Sequence, residues 1–171
     1  MIPRLLEKEI YTCSKSLHKA VIVLGARQVG KTKLLNAMRT RLAQEEKAIR
    51  YLYCDLEEER QAVNTTSRAL LDRLVSGKDT LFIDEVQRLD DPGLTLKILF
   101  DLYPNLMILV TGSSSFEMRN RLTEALTGRY IDVLLYPLSL AEALQAAGMG
   151  TDKALRKPAA DALLNDVPRY G

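Results

Sequence analysis

Short apolar runs alternate along the chain with longer stretches whose apolar residues recur every three to four positions. The runs are Ala20 to Leu24, Ile49 to Cys54, Thr80 to Ile83, Leu106 to Thr111 and Ile131 to Leu135. They lack the polar alternation of a sheet with one wet face, so they read as strands of a parallel sheet buried on both sides. Between them, Lys31 to Glu45 carries Leu34, Leu35, Met38 and Leu42 as a helical stripe, and a polar helix is predicted near Glu58 to Val75. Pro92 suits the first turn of a helix that carries Leu94, Leu96, Ile98, Leu99 and Leu102 to a stop at Tyr103-Pro104-Asn105. Ser115 to Leu126 reads as a further helix, with Gly128 near its C-terminal cap. Five strands interleaved with helices predict a three-layer α/β fold with right-handed crossovers. From Leu138 the composition shifts to Ala and Leu and no further strand is expected. Residues 1–137 therefore form the expected core, and 138–171 a small helical appendage or the start of an incomplete second domain.

Composition narrows the class without naming a partner. The chain has 171 residues, 47% of them hydrophobic, and 24 Lys and Arg against 22 Asp and Glu give a net charge of +2. A chain of this size buries roughly two-thirds of its unfolded surface, so it needs no disulfide or metal staple. Cys13 and Cys54 form no Cys-x-x-Cys pair and are expected as reduced thiols, and His18 is the single histidine. The balanced charge offers no general reason to expect nucleic acid or an anionic membrane. The N-terminus mixes acids and bases where a signal peptide needs an apolar stretch, and no apolar run approaches the ~20 residues that span a bilayer. A cytoplasmic chain is the expectation.

The chemistry begins after the first strand. Gly25-Ala26-Arg27-Gln28-Val29-Gly30-Lys31-Thr32 satisfies G-x-x-x-x-G-K-[ST] at every fixed position, between a predicted strand and a predicted helix. Glycines let such a loop wrap a phosphate with backbone N–H groups, and the helix N-terminus adds its positive end. Lys31 would reach the β- and γ-phosphates, and the Thr32 hydroxyl would ligate Mg²⁺.

The third run ends Ile83-Asp84-Glu85, placing two acids at a carboxyl strand end, where open α/β sheets bind ligands. Asp84 would hold Mg²⁺, usually through water, and Glu85 would polarise the attacking water as general base. An acid that merely caps the next helix is the plainer reading of Glu85. The fourth run leads into Gly112-Ser113-Ser114-Ser115. One of these hydroxyls could sense the γ-phosphate or the water, Ser113 being favoured as nearest the strand, while the plainer reading of the run is a helix N-cap, which Ser114 or Ser115 satisfies equally well. Arg129 stands where a guanidinium could reach a neighbour's γ-phosphate, or could simply be a solvated arginine.

Together GARQVGKT, LFIDE, TGSS and LTGRYIDVLLYPLSLAE resemble prokaryotic AAA+-type P-loop ATPases, in particular the family of ATP-binding proteins that join such a domain to a distinct C-terminal domain. The resemblance covers most of the chain and implies a P-loop NTPase fold with the five-stranded parallel sheet in the order 5-1-4-3-2. It implies ATP as ligand, with Gly25, Ala26, Arg27, Gln28, Val29, Gly30, Lys31, Thr32 and Lys33 around it. It also implies Thr32 and Asp84 at Mg²⁺, Glu85 at water, Ser113 as sensor and Arg129 as a finger supplied in trans by a homo-oligomer or partner domain. Lys33 departs from the pattern, standing where these proteins commonly have a second Thr or Ser at the α-phosphate. Arg156 and Arg169 are candidates for a second sensor arginine.

The expected function is Mg²⁺-dependent hydrolysis of ATP to ADP and phosphate, driving a conformational change in an attached domain or partner. A nucleotide-gated interaction switch with little hydrolysis is the alternative, and a small-molecule P-loop kinase the third reading. No basic stripe with interleaved aromatics supports nucleic-acid binding. Tyr51 and Tyr53 alternate with apolar neighbours at strand spacing and read as sheet packing. Arg4, Leu5, Leu6 and Ile10 read as an amphipathic packing helix.

Overall fold

A computed structural model of the chain describes residues 10–12, 14, 20–126 and 130–137. Five strands form one parallel sheet: β1 (Ala20–Gly25), β2 (Ile49–Tyr53), β3 (Thr80–Asp84), β4 (Met107–Ser113) and β5 (Tyr130–Leu135). Their spatial order is β2-β3-β4-β1-β5, the expected 5-1-4-3-2 read from the other edge. Between β1 and β5 the helices among the described residues are α1 (Lys31–Gln44), α2 (Glu57–Val63), α3 (Arg68–Val75), α4 (Pro92–Leu102) and α5 (Phe116–Leu126), with a short 3-10 turn at Val86–Arg88.

Strand residues point alternately to the two faces, and the two faces bury different helices. Val21 and Val23 of β1, Phe82 of β3 and Leu109 of β4 pack against Leu34, Leu35, Met38 and Leu42 of α1, together with Ile10 and Tyr11. Ile22, Leu24, Ile83 and Val110 face the other way, onto apolar residues of α2 to α5 such as Val63, Leu71, Leu99 and Leu122. Both sides of β1 and β3 are thus covered, which explains their continuous apolar sequences. The four leucine and methionine positions of the α1 stripe are all buried. All described residues up to Tyr136 fall in one compact unit.

Differences from expectation sit at element ends. The polar stretch expected as one helix over 58–75 is two helices, α2 and α3, parted by Asn64-Thr65-Thr66-Ser67. These four residues have low helix propensity and side chains that compete for backbone partners. Here Thr65 Oγ1 accepts from the Ser67 N–H at 3.1 Å, and Asn64 Nδ2 reaches Asp90 at 2.6 Å. β4 runs to Ser113, two residues beyond the apolar run, because Gly112 and Ser113 stay in register with Leu24 and Gly25. Pro92 opens α4 as expected, and Asp91 caps it by accepting from Leu94 N–H at 3.0 Å. The expected N-terminal helix from Arg4 to Leu6, Cys13, His18 and the appendage over 138–171 lie outside the described residues, whereas Ile10 is buried.

Candidate functional site

The register of the parallel sheet gathers the chemistry at one edge. Gly25 pairs with Ser113 on one side and Leu135 on the other, so the loop after β1 leaves the sheet between the ends of β4 and β5. The two glycines of the loop are required for different reasons. A Cβ on Gly25 would lie 2.7 Å from the Leu135 carbonyl oxygen and 2.9 Å from Val29 Cγ1, so neighbouring backbone leaves no room for one. A Cβ on Gly30 would meet nothing within 4 Å, but its φ of +100° is a left-handed conformation that side chains disfavour. Gln28 is also left-handed, at φ 64°. This succession of turns is the kind of backbone that aims N–H groups at an anion.

α1 starts at Lys31 without a side-chain cap and without an acid in its first turn. Its leading N–H groups therefore lack the partners that a cap or an acid would supply, and the positive end of the helix is not neutralised locally. Lys31 is buried and folds back across the loop, its Nζ donating to the Gly25 carbonyl at 3.1 Å and the Ala26 carbonyl at 3.0 Å. Charge-assisted bonds to phosphate oxygens are stronger than these carbonyl bonds, so a phosphate can draw the ammonium away from them. Thr32 and Lys33 are exposed at the same helix end.

The acid pair is held from two neighbouring strands. Asp84 is fully buried, and each of its carboxylate oxygens accepts a hydroxyl. Tyr51 of β2 donates to Oδ2 at 2.7 Å, and Thr111 of β4 donates to Oδ1. Burial first, and then the bond to Asp84, push the Tyr51 phenol well above its ordinary range, so it remains a proton donor to Asp84. Thr111 Oγ1 in turn accepts the Glu85 backbone N–H at 3.1 Å. Glu85 is left-handed, with φ 62° and ψ 47°, and this reversal ends β3 and starts the 3-10 turn. A non-glycine residue holds such a conformation when its surroundings over-determine it, a condition that recurs at functional sites. Gln87 completes the group: its amide donates to Glu85 Oε2 and accepts the Ser113 N–H at 3.0 Å.

A strand, a glycine-bounded phosphate loop, an uncapped helix start and, across β4, an acid pair whose Asp84 is buried are thus assembled at the carboxyl edge of one sheet. Residues 17–144 match the family of the AAA domain. The chain belongs to that family. At family level it is a P-loop nucleotide-binding ATPase domain. An uncharacterised protein of Haemophilus influenzae is 28% identical over 157 residues, which are 88% of this chain and 38% of that protein. The chain therefore spans about two-fifths of the length of this relative.

Among solved structures, the replication initiator DnaA bound to AMPPCP and single-stranded DNA superposes with a TM-score of 0.60 at 18% identity, over 98% of this chain and 58% of that one. AMPPCP-bound DnaA from Aquifex aeolicus gives 0.56 at 18% identity, over 96% and 56%. The Hsp104–ADP complex of S. cerevisiae gives 0.57 at 16% identity, over 87% of this chain and 24% of that one. At such identities the likeness concerns the fold, and the five-stranded sheet order of the AAA domain here agrees with it.

Within this AAA domain, Ser115 is the member of the serine run that caps the following helix. Ser115 Oγ accepts the Met118 N–H at 3.4 Å at the start of α5, while the Ser113 hydroxyl lies 3.3 Å from Ser115 Oγ at the end of β4. Thr32 and Asp84 are hard oxygen donors, of the kind Mg²⁺ takes. Among the described residues no three His, Cys, Asp or Glu side chains are placed to cage a metal. One carboxylate and one hydroxyl suit an ion that keeps several waters and leans on substrate phosphates. Arg129, Arg156 and Arg169 lie outside the described residues.

Three members of the site were not singled out from sequence: Tyr51, Thr111 and Gln87. Tyr51 does pack in the sheet, its ring stacked on Phe82 at 5.9 Å, but its hydroxyl also reaches the acid pair. The available signal was a hydroxyl-bearing residue in each run flanking β3, Tyr51 in the middle of one and Thr111 at the end of the other. Cys54, the next residue after β2, is a buried free thiol. Burial pushes that thiol up to about 12, which leaves it un-ionised near neutral pH. Among the described residues no helix is long and apolar enough to cross a membrane.

Proposed function

We propose that this AAA domain binds Mg-ATP and hydrolyses it to ADP and phosphate, and that hydrolysis drives a conformational change in an attached domain or partner. The observation that carries the reading is the convergence of the Gly25 to Thr32 loop, which follows β1, with the Asp84–Glu85 pair at the end of β3, on the carboxyl side of one parallel sheet with β4 between the two strands. In this reading the loop N–H groups and Lys31 bind the phosphates. Thr32 and Asp84 hold Mg²⁺, which supplies charge neutralisation on the β- and γ-phosphate oxygens. Glu85 accepts a proton from the attacking water as its oxygen bonds to the γ-phosphorus and the bond to the β–γ bridging oxygen breaks. Ser113 hydrogen-bonds the γ-phosphate or the water. Arg129 acts in trans on the site of a neighbouring copy or partner domain, and the setting is cytoplasmic.

One observation favours the alternative of a nucleotide-gated switch with slow turnover. Both oxygens of Asp84 and one oxygen of Glu85 already accept hydrogen bonds within the protein. Steady-state phosphate release measured across protein concentration, for wild type and Glu85→Gln, separates the two. Hydrolysis predicts turnover per subunit that rises with concentration and vanishes in Glu85→Gln. Tight ATP binding with no phosphate at any concentration supports the switch instead.

A further inference from the structure

Gln87 lies two residues beyond the acid pair, in the 3-10 turn Val86–Arg88, and belongs to neither the phosphate loop nor the acids. Its side-chain amide is bonded at both ends, through Nε2 to Glu85 Oε2 and through Oε1 to the Ser113 N–H at 3.0 Å. A primary amide carries a donor and an acceptor on one planar group, whereas a carboxylate supplies only acceptors. The turn lies close against β4 at Gly112. A Cβ there would stand 3.2 Å from Val86 Cγ1 and 3.4 Å from Gln87 Oε1. The left-handed Glu85 reverses the chain immediately before this turn.

We infer that Gln87 is a positioning residue that ties the orientation of the Glu85 carboxylate to the end of β4 at Ser113. The inference rests on the assignment of Glu85 to water activation. Apart from its carbonyl, which accepts the Arg88 N–H within the turn at 3.0 Å, Glu85 is tied to β4 by two routes: its backbone N–H is fixed by Thr111, and its carboxylate by Gln87. The first route fixes where the residue sits, and the second fixes where its base points. Both routes end on β4, so a phosphate that shifts Ser113 alters the bond to Gln87 and, through the same amide, the aim of Glu85.

The test uses the full chain and three variants. Gln87→Ala removes both bonds, Gln87→Glu keeps an acceptor for the Ser113 N–H but presents no donor to Glu85, and Glu85→Ala removes the far end of the bridge. Two readouts are taken: kcat and KM for Mg-ATP, and hydrogen exchange at the Ser113 amide without nucleotide. Gln87→Ala is expected to lower kcat on the order of tenfold to a hundredfold, the penalty of a misaimed group, with KM within about twofold. Ser113 exchange should accelerate in Gln87→Ala and in Glu85→Ala but stay slow in Gln87→Glu, whose kcat nevertheless falls. Wild-type kcat in Gln87→Ala overturns the inference, as does Ser113 exchange that is unchanged in both alanine variants. If the wild type itself releases no phosphate, the hydrolysis reading fails separately. The exchange readout then decides the coupling alone, accelerated exchange in both alanine variants upholding it and unchanged exchange overturning it.

Discussion

The phosphate loop and the acid pair face the same sheet edge, yet they are built in opposite ways. The loop is local: eight consecutive residues, two of them glycines, shape it, and its bonds run within itself, from Lys31 to Gly25 and Ala26. The acid pair is assembled from distant parts of the chain. Asp84 is held by Tyr51 and Thr111, and Glu85 by Thr111 and Gln87, across three strands and a turn. The loop's residues between Gly25 and Lys31 are exposed or half-buried, whereas Asp84 is fully buried and every bond to it counts. A motif can therefore specify a binding element, while the aim of the reacting groups depends on tertiary partners.

This contrast can be broken first at the loop. Lys31→Ala removes the single ammonium of the loop's phosphate contact and should weaken ATP binding roughly 10- to 100-fold or more, from the worth of hydrogen bonds to charged groups. Its fold should persist, because the Lys31 ammonium bonds only two carbonyls of the loop itself and none of the sheet's other strands or helices. Equilibrium titration with a fluorescent ATP analogue, beside a thermal melt, checks both halves. ATP binding equal to wild type would remove the loop from the account.

The acid pair should respond in the reverse sense. Thr111→Val deletes the hydroxyl between Asp84 and Glu85, leaving a buried carboxylate oxygen and a backbone N–H without their partner. The expected cost is about 1–3 kcal/mol of stability, read by urea denaturation, with turnover falling and ATP binding kept. Tyr51→Phe removes the single bond to the other oxygen of the same carboxylate, from the sheet's edge strand, and retains the ring against Phe82. Its cost should be smaller, about 0.5–1.5 kcal/mol. A Tyr51→Phe variant less stable than Thr111→Val would contradict the ranking of the two hydroxyls.

The smallest effect is expected just outside the pair, at Asp55. The Tyr53 hydroxyl, and then Arg88 at 2.7 Å, hold its carboxyl below the ordinary value of 3.8. A depressed folded-state value contributes stability above the unfolded value and loses it as pH falls through the folded one. The difference in melting temperature between wild type and Asp55→Asn should be no more than about 2 °C near neutral pH and should shrink below pH ~4. A difference that grows toward acid pH would contradict the sign.

Most of the fold was legible because both faces of the sheet are buried, which leaves unbroken apolar runs at β1, β3 and β4 and one clear stripe on α1. The break between α2 and α3 was not, since it is made by side-chain bonds such as Asn64 to Asp90 that cross 26 positions of sequence. Likewise Lys31, Asp84 and Glu85 announced themselves by spacing and strand position. Tyr51 read only as a packing residue, because the same alternation that buries its ring says nothing of where its hydroxyl ends. Gln87 carried no signal until the left-handed turn at Glu85 and its close approach to Gly112 were known.

The measurement that tests the central claim most directly is the identity of the nucleotide retained after the full chain is incubated with Mg-ATP and separated from free ligand. The account predicts ADP on the wild type, ATP on Glu85→Gln and no nucleotide on Lys31→Ala. ADP on Glu85→Gln in the same proportion as on wild type would contradict the assignment of Glu85 to the hydrolytic step.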